Sequence, residues 1–204
     1  MVTRNRYMYV CVVLLLCATV SFLGAQESAL GNGRLSVHGG VGISGARGDY
    51  PSEYDARVEF SFSPGLRLRL YETFAPDTLI LVDLGYLETG FVGYVSATDT
   101  YFYNTYEYIN LNGMFGTQKD MLYLAGGIYF SIGTGAYSYR EYTDETVSLD
   151  SNADFGLVGE VGADILPFLS LGVQARFGLK SIGSSVDIKN WGLLGTIDIH
   201  FYDF

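Results

Sequence analysis

Acids and bases recur at every second position of several apolar stretches in this chain, and that spacing limits the chemistry they could do. In FGLVGEVGADI (155–165) Glu160 and Asp164 share a phase with Gly156, Val158 and Gly162, while Phe155, Leu157, Val161 and Ile165 occupy the other. Arg67 and Arg69 oppose Leu66, Leu68 and Leu70, and Asp83 opposes Ile80, Val82 and Leu84. Gln174, Arg176 and Lys180 oppose Leu171, Val173 and Phe177, and Asp198 and His200 oppose Ile197 and Ile199. Charges on one face of an otherwise apolar strand must pair once water is removed, because an isolated buried charge is very costly. Arg67, Asp83, Glu160, Arg176 and Asp198 are therefore the candidate members of an interior ion-pair network. The same groups could instead form an ion relay or a narrow gated path. A catalytic reading rests on His38 and His200, with Asp198 close to the second, as acid–base groups for lipid hydrolysis or acyl transfer. It is disfavoured by their position near the short-turn end, away from lipid and the outer rim.

Positioning these residues requires strands. RLSVHGGVGIS (34–44) and RVEFSFSPGLRLRLY (57–71) alternate with a period of two; TLILVDLGYLETGF (78–91) is apolar in both phases at its start, and YEYINLNGMF (106–115) sets Ile109 and Leu111 against Asn110 and Asn112. MLYLAGGIYFSIG (121–133), residues 155–165, LSLGVQARFGLK (169–180) and WGLLGTIDIHF (191–201) complete a set of eight. Pro64 cannot donate to a ladder, so a bulge or weak pairing is expected there. The connections alternate too. ETFAPD, GTQKD and LPF are short; ARGDYPSEYDA, GYVSATDT, GAYSYREYTDETVSLDSNA and IGSSVDIKN are long. Short turns at one end and long loops at the other describe an up-and-down barrel.

Hairpin centres then give register. Centring the first short turn on Ala75 sets Arg67 against Asp83, and centring the last near Pro167 sets Glu160 against Gln174, one diagonal step from Arg176. Arg67–Asp83 and Glu160–Arg176 are the ion pairs expected from that arithmetic.

Composition bounds the rest. The first 25 residues carry Arg4 and Arg6, an apolar stretch and a small-residue end at Gly24 and Ala25, the pattern of a secretory signal peptide, followed by a leader over 26–33 and a barrel over 34–204. Both cysteines, Cys11 and Cys17, fall in the signal, which leaves the mature chain without thiol, disulfide or cysteine-held metal. No cofactor and no metal site is indicated. The net charge of −10 becomes −12 once Arg4 and Arg6 are removed, which disfavours nucleic acid as a partner.

Alternation alone permits a soluble sandwich or a lipocalin-like barrel with its apolar phase inward. Strand lengths suited to a bilayer, glycine in the polar phase and aromatic residues near strand ends, as in TYFYNTYEY (100–108) and HFYDF (200–204), favour a membrane barrel with the apolar phase outward. The order YEYINLNGMFG, KDMLYLAGGIYFSIG, DFGLVGEVGADILPFLSLGVQARFGL and a last strand with an aromatic end resembles the small bacterial outer-membrane β-barrel domain family, the OmpA, OmpX and PorT-like barrels. That resemblance implies an all-β, eight-stranded antiparallel up-and-down transmembrane β-barrel in the bacterial outer membrane. It also implies contact with outer-membrane lipid and handling by the barrel-assembly machinery, for which Phe204 would be the terminal aromatic signal. Phe204 is nevertheless out of step with the outward phase ending at Phe201 unless the terminus bends.

Eight strands enclose an interior that side chains just fill, so the expectation is a monomer with a polar, plugged lumen acting in envelope integrity or surface interaction, not an enzyme. An OmpW-like conduit for small apolar solutes is the alternative; Val158, Leu194, Leu79 and Leu81 are its inward apolar candidates. A lipid-modifying enzyme is the further one. In the loops, Arg47-Gly48-Asp49 is an RGD tripeptide with integrin binding as its functional reading, and the acidic stretch 139–154 could meet a host protein, glycan or cation, with no extracellular partner singled out.

Overall fold

The computed structural model describes residues 32–48, 54–96, 98–140, 145–148, 153–181 and 188–204. The segment expected as signal peptide and most of the expected leader lie outside them, as does Asp49. Nine strands follow in order: β1 (Asn32–Gly48), β2 (Tyr54–Tyr71), β3 (Thr78–Val95), β4 (Thr100–Lys119), β5 (Leu122–Arg140), β6 (Glu145–Ser148), β7 (Asp154–Leu166), β8 (Leu169–Gly178) and β9 (Ile188–Asp203). Eight of them form a closed antiparallel ring, β1-β2-β3-β4-β5-β7-β8-β9, with β9 returning to β1. The ninth, β6, was not expected. It pairs only with the outer end of β5, Tyr137 opposite Ser148 and Arg140 opposite Glu145.

The apolar phase faces outward. Phe60, Leu124 and Ile128 are more than 60% exposed, and Val37, Val41, Leu157, Ile199 and Phe201 about half. A water-soluble barrel would bury these side chains and expose the charges; here Arg67, Arg69, Asp83, Glu160 and Asp198 are buried. The ring is thus built to face lipid.

Turn chemistry fits the short connections. Glu72, Asp77 and Asp120 have φ of 53°, 63° and 54°, and the β4–β5 connection is only Asp120 and Met121, since β4 runs on to Lys119. Aspartate, whose short carboxylate can bond its own backbone, tolerates this left-handed conformation at Asp77 and Asp120 better than most residues.

Pro64 keeps a partner on β1, Gly39, and has none on β3. The register shift of that hairpin comes a few residues earlier in β2, between Val58 and Phe62. Other shifts occur at Glu107/Tyr108, Asp164/Leu166 and Leu35/Ser36. The last of these resolves the terminal aromatic. Leu35 pairs with Tyr202 and Ser36 with His200, leaving Phe201 extra in β9. The inserted residue shifts the phase, so Tyr202 and Phe204 share the outer face, and Phe204 exchanges backbone hydrogen bonds with Gly33 at 2.9 and 3.0 Å.

A polar lumen as the candidate functional site

Inward positions of all eight ring strands meet in stacked layers, and glycine decides how wide each layer is. Tyr123 and Tyr129 on β5 reach across to β7 and β8, where Gly162 and Gly172 receive the first ring and Gly156 and Gly178 the second. A Cβ at Gly162 would collide with the Tyr123 hydroxyl, and one at Gly156 would lie 2.7 Å from Tyr129 Cε1.

Arg67 is the centre of the site. Its Nε and Nη2 donate to both oxygens of Asp83 at 2.6 and 2.9 Å, its Nη1 and Nη2 to both oxygens of Glu160 at 2.5 and 2.6 Å, and its Nη1 to Asp198 at 2.9 Å. A guanidinium has five N–H donors, and all five are engaged. Glu160 also accepts from the Tyr123 hydroxyl at 2.7 Å and from Gln174 at 2.9 Å. Asp198 bonds His38 Nδ1 at 2.6 Å and Arg69 Nη2 at 2.7 Å. Asp83 is further held by Asn112 Nδ2 at 3.0 Å.

Position in the ring gives these contacts their meaning. Strands β2 and β7 are four places apart in a ring of eight, so Arg67–Glu160 crosses the full diameter. Arg69–Asp164, at 2.8 Å, does the same one layer nearer the short turns.

Towards those turns Ser170 donates to Asp164 at 2.5 Å and stands 2.6 Å from His200 Nε2, whose Nδ1 is 2.6 Å from Ser36 Oγ. With its proton on Nε2, His200 donates to Ser170 and accepts from Ser36. Both serines are fully buried; His200, which they flank, and His38, whose Nδ1 bonds Asp198, are buried too, so all four lie inside the lumen and away from its lipid face. A hollow of about 280 Å³ lies at this end, lined by Asn32, Tyr71, Glu72, Asp77, Thr78 and Gln118.

On the other side of the centre the expected diagonal from Glu160 to Arg176 is not the contact made. Arg176 bonds Asn110 and Asn112 and packs 4.3 Å from the Tyr129 ring centre, while Glu160 turns to Arg67. The reason is reach across the lumen: Glu160 meets both Gln174, its register partner, and the guanidinium from the opposite wall. Among the described residues Arg176 forms no ion pair. Above it Asp154 accepts from Tyr129 at 3.0 Å and from Asn190 at 3.3 Å. An apolar group, Leu87, Phe91, Tyr106, Tyr108 and Ala136 with Ala46 and Ile188, caps the stack.

The apolar inward candidates separate. Leu79, Leu81 and Val158 pack with Met114, Tyr123, Ala125 and Tyr129 along one wall; Leu194 is as deeply buried but apart from them. Of the tripeptide, Arg47 Nη2 donates to the Gly178 carbonyl at 2.9 Å, folding back onto β8, and Gly48 has a φ of 147°.

Sequence reasoning placed Arg69 in the inward phase without a partner and left out Tyr123, Tyr129, Asn110, Asn112, Asp154 and Asn190. A readable signal existed for the tyrosines: both sit in the phase of β5 opposite its leucines and isoleucines.

At the outer end of the β3–β4 hairpin the guanidinium of Arg57 lies 5.6 and 5.5 Å from the rings of Tyr94 and Tyr101. There the hydrogen bond from Tyr94 to Asp99, 3.0 Å long, raises the phenol above its ordinary pKa.

No family model and no curated protein matches the chain. Solved structures do. Neisserial surface protein A, NspA, is similar over 84% of this chain and 99% of its own at 13% identity, with a TM-score of 0.55. Ail, the attachment invasion locus protein of Yersinia pestis, in complex with the heparin analogue sucrose octasulfate, aligns over 83% and 99% at 16% identity and a TM-score of 0.47. The outer membrane protein OprG from Pseudomonas aeruginosa aligns over 85% and 94% at 13% identity and a TM-score of 0.40. The likeness to NspA is one of fold. Together with the apolar belt, it makes this chain a small eight-stranded β-barrel of the bacterial outer-membrane type.

Proposed function

We propose that this protein is a monomeric outer-membrane barrel whose lumen is plugged, a rigid mount for its long loops that serves envelope integrity or surface interaction rather than transport or catalysis. The observation that carries this reading is the pair of diametric contacts, Arg67–Glu160 and Arg69–Asp164, which a solute could pass only by breaking. A void of roughly 20 Å³ between the Arg67 cluster and the apolar cap of Leu87 has room for no more than a water molecule or so. Arg67, with all five donors engaged by carboxylates of β3, β7 and β9, acts as a structural tie between walls.

Planar-bilayer recording with the refolded protein tests the reading. No stable conductance is expected from the native chain; large, steady channels would overturn it. The double variant Arg67→Ala with Arg69→Ala removes both diametric ties and should introduce conductance if it folds. The apolar wall of Leu79, Leu81, Met114 and Val158 is what favours the second reading, a conduit for small apolar solutes. Uptake of such a solute into proteoliposomes in the absence of ionic conductance would select it.

Barrel-assembly machinery and outer-membrane lipid are the partners proposed for biogenesis. The bulge at Phe201 gives Tyr202 and Phe204 a common outward face beside lipid, the form in which barrel-assembly machinery would meet a terminal aromatic signal. Extracellular contact falls to the outer strand ends, where Arg47 and Gly48 close β1, and to Asp49, next in sequence.

A further inference from the structure

The roughly 20 Å³ cavity between the central ion cluster and the apolar cap is lined by Ser61, Leu87, Thr89, Tyr129, Asp154, Arg176, Asn190 and neighbouring β9 residues. Three buried polar atoms of that lining have no hydrogen-bond partner: Arg176 Nη1, Asp154 Oδ1 and Asn190 Oδ1. Their residues are 5%, 3% and 5% exposed. Orphaned groups this deep are uncommon, and three around one void point to an occupant.

We infer that this cavity is a binding site for one uncharged molecule that both donates and accepts hydrogen bonds, water in the resting protein, which bridges Arg176 to Asp154 and Asn190. Charge selects the class. A cation would meet Arg176 and an anion would meet Asp154, so only a neutral dipole satisfies both walls. Size selects the member, since about 10–15 Å³ suffices for a water and an organic solute needs several times more. Valence agrees: a water has two protons for the two oxygens and a lone pair for the guanidinium N–H. Arg176 then receives its counter-charge through this molecule from Asp154, which stands at the start of β7, beside the long loop. This site is separate from the diametric contacts and does not depend on the lumen being closed elsewhere.

Oxygen-17 magnetic relaxation dispersion of water, recorded on the refolded protein in micelles, counts long-lived internal waters. Gly192 faces the lumen beside Arg176 in register and lines the cavity, and a Cβ there would find no atom nearer than 3.6 Å. Gly192→Ala is therefore accommodated and takes the water's space. The native protein should hold one more long-lived water than Gly192→Ala, and equal counts overturn the inference. Asn190→Leu, close in volume and lacking one acceptor, supplies a second measurement. It should shorten the residence time of that water at least several-fold, and an unchanged dispersion counts against the site. Density larger than a water at this place in a crystal of the purified protein would refute the assigned class.

Discussion

Arg67 and Glu160 answer each other across the lumen, and their removal should have unequal consequences from that of Arg176. Replacing Glu160 by Ala strands a buried guanidinium beside only two remaining carboxylates and should cost about 3–5 kcal/mol. A double-mutant cycle locates the coupling. Glu160→Ala with Arg67→Met should recover a large part of the loss, whereas Glu160→Ala with Arg176→Met should be nearly additive. Urea midpoints of the heat-modifiable folded form read both. A larger coupling to Arg176 would contradict the geometry described. Hairpin arithmetic could see Arg67 facing Asp83 and Glu160 facing Gln174, because neighbouring strands obey a constant register sum. It could not see Arg67 facing Glu160. That contact joins opposite walls, and nothing in local spacing encodes which residues share a height across a ring.

Strands were legible at the level of phase and less so at their ends. Alternation identified all eight ring strands, yet β3 and β4 extend to Val95 and from Thr100, well past the expected segments, because their outer parts pair with each other beyond the bilayer. Bulges hide a second feature. In β5 Ile132 is 54% exposed and Ala136 only 6%, so even positions change sides after the shift opposite Glu107 and Tyr108. No rule of two predicts such a reversal. Glycine in the inward phase, by contrast, was readable before its reason was known. The reason is tyrosine. Gly162→Ala should press a methyl onto the Tyr123 hydroxyl and destabilise the barrel by about 1–3 kcal/mol. The same substitution at Gly159, on the opposite face with no atom nearer than 3.7 Å, should cost far less. Parallel thermal melts of the two variants compare them directly.

The whole molecule presents two solvents with one sheet. Ile128, 67% exposed near the middle of the outer face, should meet hydrocarbon. Ile128→Arg is then expected to lower folding stability in phospholipid vesicles by about 2–4 kcal/mol, with a smaller loss for the same change at Phe74 in the first short turn. Equal losses at the two positions would argue that the belt does not face a bilayer. The cluster around Arg67 has a further bearing on how such a molecule is made. Its members come from β2, β3, β7 and β9, and the seam between β1 and β9 joins residues as distant as Ser36 and His200, 164 positions apart. No single hairpin holds enough partners to dehydrate that guanidinium. Until the seam closes, a growing sheet keeps one face that hydrocarbon rejects, so partial insertion is unfavourable and the final zipping of chain ends is also the step that dries the charges. Electrostatics alone would thus hold an unfinished sheet at the membrane surface until the ring is complete.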